Sequence, residues 1–299
     1  LEGMAQGDLA LALQGLLGDV DQPLSAVSVA RLATRWRDEH AAWKQRPLEC
    51  DVAYLWAEGI PLEVEAESPD LSVLVVAAAF VDGSRGLVSV ETGERGSKES
   101  WLGVLRDLAR RGMQAAPRIV VADGALGIWD ALDELGMACA RQHCWNSKTA
   151  EVLGLLPKGR RAEASKILRA ISDASSRSAA NQLRLKFVKR CGVRLADAAE
   201  CISSDWTALN AFHAFPKEHW PQLRTTETLE KTSTEIRLRA AGPKACRPAP
   251  HLEAIVWKLL GAAVRALPAL DALELVPSLI RRQPTGETRT AETSRNLLD

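Results

Sequence analysis

Two carboxylates, Asp123 and Glu230, sit in distinct motif contexts where phosphodiester chemistry could be carried out. Asp123 closes the apolar run Arg118 to Ala122 and precedes Gly124, a good place for an exposed ligand at a sheet's edge. Glu230 stands in Arg224-Thr-Thr-Glu-Thr-Leu-Glu230-Lys-Thr. In-line attack at phosphorus can use two divalent ions about 3.5–4 Å apart, one activating the attacking oxygen and one stabilising the leaving oxygen. Mg²⁺ prefers oxygen ligands and keeps several waters, so two or three carboxylates suffice to hold it. Such carboxylates can be distant in sequence if the fold gathers them at strand ends. By residue type alone each has a plainer reading: Asp-Gly after a strand also makes a turn, and Glu230 is also a solvated helix glutamate.

The elements that would carry these residues follow from periodicity. Residues 7–17 and 26–43 predict two helices, broken at Gly18-Asp-Val-Asp-Gln-Pro23, with Ser25 as N-cap of the second. With Arg31, Arg35 and Arg37 on the second helix, the pair reads as a helix-turn-helix or as a plain helical hairpin. Beyond Pro47 the pattern turns to strands at Val52–Trp56, Leu71–Val81 and Gly86–Glu91, with Asp82-Gly83 as a turn. A helix through Trp101, Leu105 and Leu108, the strand 118–122 and a helix through Ile128 and Leu132 complete a mixed sheet with helices packed on it. Residues 147–214 read as almost entirely helical, 251–267 as an amphipathic helix, and 281–299 as a loose polar tail. The fold class expected is α/β.

The 299 residues are 46% hydrophobic and 25% charged, which fits a globular protein with a sizeable core. The net charge of zero hides segregation. Residues 49–99 hold 11 acidic and 3 basic residues, whereas 141–200 hold 13 basic and 5 acidic. A basic block can face phosphates and an acidic one can hold cations, although both are also ordinary solvated surfaces. No apolar run reaches the roughly 18 residues of a membrane span, and six scattered cysteines fit reduced cytosolic thiols better than a disulfide framework. The chain begins with Leu and reads as truncated at its N-terminus.

Val120-Val-Ala-Asp123-Gly-Ala-Leu-Gly127, Phe215-Pro-Lys-Glu-His-Trp220, Leu223-Arg-Thr-Thr226 and Glu230 together resemble the Mutator-type transposases of bacterial insertion sequences. The resemblance runs over roughly residues 5 to 270. It implies a DDE-type enzyme that cleaves DNA and transfers strands with Mg²⁺ or Mn²⁺ held by Glu58, Asp123 and Glu230. The 65 positions from Glu58 to Asp123 and 107 from Asp123 to Glu230 match that family's architecture, a ribonuclease-H-like core interrupted by helices. The implied division is a helical region 1–46, a first core segment 47–146, a helical insertion 147–214, a second core segment 215–270 and a tail 271–299. Implied partners are double-stranded DNA, both terminal inverted repeats and target, and further copies of the chain, at the bacterial nucleoid. Arg224, Arg237 and Arg239 are the phosphate-contact candidates. Trp145, Trp206 and Trp220 lie in or beside the basic block, where they serve base stacking or core packing.

The chain departs from the family's pattern at defined places. Glu58 stands where members carry aspartate, and its extra methylene moves the carboxylate. A shift of about 1 Å in a catalytic group can cost on the order of 100-fold in rate. Glu227, Thr228 and Lys231 replace Asn, Pro and Ser of the family's Arg-Thr-Thr-Asn-Pro-Ile-Glu-Ser-Thr. The family's Cys-x-x-His motif is Cys144-Trp-Asn-Ser147 here, so Cys144 and the adjacent His143 fall short of a four-ligand zinc site, and Cys144 reads as a buried thiol. These changes leave two alternatives to an active transposase: a decayed remnant that keeps only DNA binding, and an unrelated ribonuclease-H-like nuclease.

Overall fold

A computed structural model describes residues 26–61, 71–227, 229–230, 249–265, 270 and 275. The first expected helix, the turn after it and therefore the helix-turn-helix reading lie outside these residues. So do Thr228, Lys231, Arg237, Arg239 and the C-terminal tail.

The chain is α/β. Helix α1 (Ala26–Lys44) leads into three long strands, β1 (Val52–Pro61), β2 (Leu71–Phe80) and β3 (Arg85–Glu94). Then follow α2 (Lys98–Arg110), β4 (Ile119–Ala122), α3 (Ile128–Glu134) and β5 (Ala140–His143). The five strands form one sheet in the order β3-β2-β1-β4-β5. β1 pairs antiparallel with β2 and parallel with β4, and β4 pairs parallel with β5. β1 and β2 are near-continuous apolar runs because both sheet faces are covered.

Side-chain alternation sorts the sheet into two cores. Leu55, Ala57, Val120 and Ala122 face α2 and α3. Tyr54, Trp56, Ile60, Ile119 and Val121 face the opposite way. That second face is covered by helices from the basic block and by α10 (Ala249–Arg265). The block consists of α4 (Trp145–Gly154), α5 (Lys158–Ser172), α6 (Arg177–Cys191), α7 (Ala196–Ser204) and the short α8 (Trp206–Leu209). Single 3₁₀ turns then lead to the short helix α9 (Trp220–Leu223). Among the described residues, no helix is long and apolar enough to cross a membrane.

Two anchors bring the chain back from the helical block to the sheet. Gln142 in β5 accepts from the Phe212 N–H and donates to the Leu209 carbonyl, and the Trp145 indole donates to that same carbonyl. The segment 215–220 then lies on the buried face of β1: Tyr54 shares a 2.8 Å hydrogen bond with His219 Nδ1 and meets the Phe215 ring edge-on. The Trp56 indole donates to the Gln222 carbonyl. This segment, conspicuous in the sequence, is therefore a packing anchor that delivers Thr226 and Glu230 to the end of the sheet.

Candidate active site

Register places the acids. Ala57 of β1 lies opposite Ala122 of β4, so Glu58, inside β1, stands level with Asp123, the first residue past the C-terminal end of β4. Ala122 in turn lies opposite His143 of β5, so Cys144 stands level with both. Alternation turns Glu58 to the same face as Trp56 and Ile60, under the helical block. Ligand sites in open sheets with parallel strands form at such carboxyl ends.

Glu58, Asp123 and Glu230 line one cleft of about 380 Å³, together with Gly59, Arg95, Asn146, Ser147 and Thr226. Each acid is held differently. Glu58 is buried within the sheet, 8% exposed. Asp123 is about one-third exposed; its Oδ1 accepts from the Ala125 N–H at 3.0 Å and its Oδ2 from Arg95 Nη2 at 3.1 Å. Its backbone carbonyl, not its side chain, accepts from the Trp129 indole. Gly124 is required here, because a Cβ would come within 2.9 Å of His143 Nδ1.

Among the described residues, Thr226, Cys144 and Asn146 grip Glu230. Oε1 accepts from the Thr226 hydroxyl at 2.8 Å and the Cys144 thiol at 2.9 Å, and Oε2 accepts from Asn146 Nδ2 at 2.6 Å. Burial, and after it the charge of Glu230, pushes the Cys144 thiol up to about 11, so it stays protonated as a donor. The Cys144 N–H donates to the Ala122 carbonyl, which couples Glu230's clamp to the strand that ends at Asp123.

The helical turn around Thr226 and Glu230 is set by local bonds. The Glu230 N–H donates to the Thr226 carbonyl, and the Trp145 N–H to the Arg224 carbonyl. Arg224 itself pairs with Asp173 and donates to the Ser172 carbonyl, tying this turn to the end of α5. Trp145 is buried edge-on to Trp206, while Trp206 and Trp220 are half-buried against the same core and the Trp220 indole donates to the Phe215 carbonyl.

Over residues 1–267 the chain matches the family described as "Transposase, Mutator family". It belongs to that family. Its relatives include the transposase for insertion sequence element IS6120 of Mycolicibacterium smegmatis, 36% identical over 94% of this chain and 86% of the relative. Another is the transposase for insertion sequence element IST2 of Acidithiobacillus ferrooxidans, 35% identical over 90% of this chain and 91% of the relative. More distant is that for element IS406 of Burkholderia multivorans, 27% identical over 80% of this chain.

In this Mutator-family chain the cleft contains one charged residue that no sequence pattern singled out, Arg95, which enters from the loop between β3 and α2. Thr226 and Asn146 lie in segments that resemble the family's motifs, but their place beside Glu230 comes from the fold. Among the described residues no three His, Cys, Asp or Glu side chains converge on a single point closely enough for one ion. The donors nonetheless suit a hard divalent cation: all three acids offer carboxylate oxygens to one open cleft, the ligand type Mg²⁺ and Mn²⁺ prefer.

Proposed function

We propose that this chain is the transposase of a bacterial insertion sequence, cleaving DNA and transferring strands at the element's terminal inverted repeats. The observation that carries the reading is the shared cleft. Three acids from segments 65 and 107 positions apart meet at the carboxyl edge of one sheet. The strand order, with β1 to β3 antiparallel and β4 and β5 parallel to β1, supports a ribonuclease-H-like core.

Glu58, Asp123 and Glu230 would hold Mg²⁺ or Mn²⁺. Bound divalent ions supply activation of the attacking oxygen and charge stabilisation of the leaving one. The chain's own residues do the rest. Glu58 and Asp123 are fixed by strand register, and Glu230 is oriented by Thr226, Cys144 and Asn146, so little reorganisation precedes the chemistry. Bringing two element ends together calls for further copies of the chain on the DNA.

The second reading is a remnant that binds DNA without cutting it. Glu58 in place of aspartate and the Arg95 bridge on Asp123 favour it. Calorimetric titration of Mn²⁺ into wild type, Asp123→Ala and Glu58→Asp, with strand cleavage on terminal-repeat DNA, separates the two. Binding and cleavage in wild type that Asp123→Ala removes establish the enzyme. Binding that Glu58→Asp alone permits establishes a transposase disabled at its first acid, and binding in none of the three refutes the metal site.

A further inference from the structure

We infer that Arg95 is a substrate-binding residue of this cleft: it pairs with Asp123 while no divalent cation is bound, and turns to the phosphodiester of DNA once one is. The inference rests on the reading of the cleft as a metal-dependent site. Among the described residues lining the cleft, Arg95 is the one cation facing Glu58, Asp123 and Glu230. A DNA phosphate entering beside three carboxylates is repelled unless positive charge accompanies it.

Arg95 is built into place at its backbone and free at its tip. Its carbonyl accepts from the Trp101 indole at 2.8 Å and from the Gly127 N–H at 3.0 Å. Its stem crosses the end of β1 so closely that a Cβ at Gly59 would come within 2.6 Å of Arg95 Cβ. Beyond that pinned stem the side chain is about one-third exposed, with Nη2 reaching Asp123 Oδ2 at 3.1 Å. An ion pair exposed to this degree is worth only about 0–1 kcal/mol, so a divalent cation displaces it readily. A released guanidinium then stays in the same cleft, with a planar fork suited to two phosphate oxygens.

The test uses the full chain as wild type, Arg95→Gln, Arg95→Lys and Asp123→Ala. Gln keeps most of the stem that lies on Gly59, and Lys keeps the charge. Mn²⁺ affinity is measured by calorimetry without DNA. Affinity for a short duplex of arbitrary sequence is measured against salt, with and without Mn²⁺. Arg95→Gln is expected to bind Mn²⁺ about 2- to 5-fold tighter, since a competing cation is gone. With Mn²⁺ present, its salt slope should be shallower than wild type by about 0.9, one phosphate contact. Without Mn²⁺ the two slopes should coincide, and Arg95→Lys should keep the wild-type slope in both conditions.

Both effects are required. Unchanged or weaker Mn²⁺ binding in Arg95→Gln, or an unchanged slope with Mn²⁺, makes Arg95 a structural bridge and overturns the inference while leaving the metal site standing. If wild type binds no Mn²⁺, or Asp123→Ala binds it equally well, the metal site fails and this inference fails with it.

Discussion

Helix α4 turns Asn146 and Ser147 into the cleft and, at the next position, Lys148 into the interior. The two destinations differ in their balance of charge. Lys148 is 7% exposed and meets Asp205 at 2.7 Å and Glu151 in the same cluster, while His143 approaches Asp205 at 3.3 Å. Burial alone would lower the Lys148 amine; the two carboxylates outweigh it and raise it. The buried cation there is answered at close range, and the cluster joins α4 to the start of α8. In the cleft three carboxylates face one guanidinium among the described residues, around an open volume. A closed cluster whose buried cation is answered stabilises the fold; an open one with excess negative charge is set up for a ligand that brings opposite charge.

The strongest way to break this contrast is Asp123→Ala. Its side chain holds Arg95 and one N–H of its own loop, so folding should survive with a nearly unchanged melting temperature. Mn²⁺ affinity and strand cleavage should each fall by more than about 100-fold. A large loss of stability without loss of Mn²⁺ binding would mean the cleft is as structural as the Lys148 cluster.

The converse change is Lys148→Met. Removing one partner of a fully buried pair costs about 3–5 kcal/mol, but Asp205 and Glu151 are partly exposed and can recover water, so about 2 kcal/mol is expected here. Urea unfolding measures it, and Mn²⁺ affinity should stay at the wild-type value.

Between these extremes lies Cys144, buried like Lys148 but donating into the cleft. Cys144→Ala removes one of the donors to Glu230 and should lower Mn²⁺ affinity about 10-fold, the lower end for a residue that orients a metal ligand. Cys144→Ser keeps a donor and should recover most of that loss. Equal loss in both variants would point to packing rather than to orientation of Glu230.

How much of this was legible follows from which forces write themselves into sequence. The strand before Asp123 was, because a buried apolar run ending in Asp-Gly carries its own signature, though that signature reads as a turn and only the resemblance points to a ligand; the helices at Trp101 and Ile128 were, because one face of each is apolar. β1 was under-read: the expected strand stopped at Trp56, whereas it continues to Pro61. Glu58, which lines the cleft, interrupts the apolar run together with Gly59, so the rest of the strand was hidden. β5, Ala140–His143, has no apolar run at all, since Gln142 is used to anchor the helical block. Glu230 was found only through resemblance, because its setting depends on Cys144 and Asn146, over 80 positions away. Arg224 stood out as a phosphate contact, yet its guanidinium is engaged by Asp173 and the Ser172 carbonyl. A lone arginine does not reveal in sequence whether its partner is a ligand or the next helix.

The smallest expected effect sharpens the contrast from the side of stability alone. A second closed cluster joins α1, β3 and α10, where His40 is buried between Trp43 and Trp257 and its Nδ1 lies 3.9 Å from Glu253. Glu253 also accepts from the Thr92 N–H and hydroxyl, and Lys44 pairs with Glu91 nearby. Burial is the main cause holding the His40 imidazole below its ordinary 6.5; Glu253 opposes it and Lys44 adds to it. The unfolded chain therefore takes up His40's proton first as pH falls. The stability this group contributes is complete above about pH 6.5 and is lost as pH drops from there through the lower folded value. Half-buried Glu91, raised chiefly by desolvation, titrates in the opposite sense, so the comparison must be made between variants. Urea unfolding at pH 7.5 and pH 5.5, conditions either side of the free imidazole's about 6.5, should show a smaller loss of stability in His40→Gln than in wild type. Mn²⁺ affinity at pH 7.5 should be equal in the two proteins, since His40 has no place in the cleft; an inequality would mean that the closed clusters and the open one are energetically coupled.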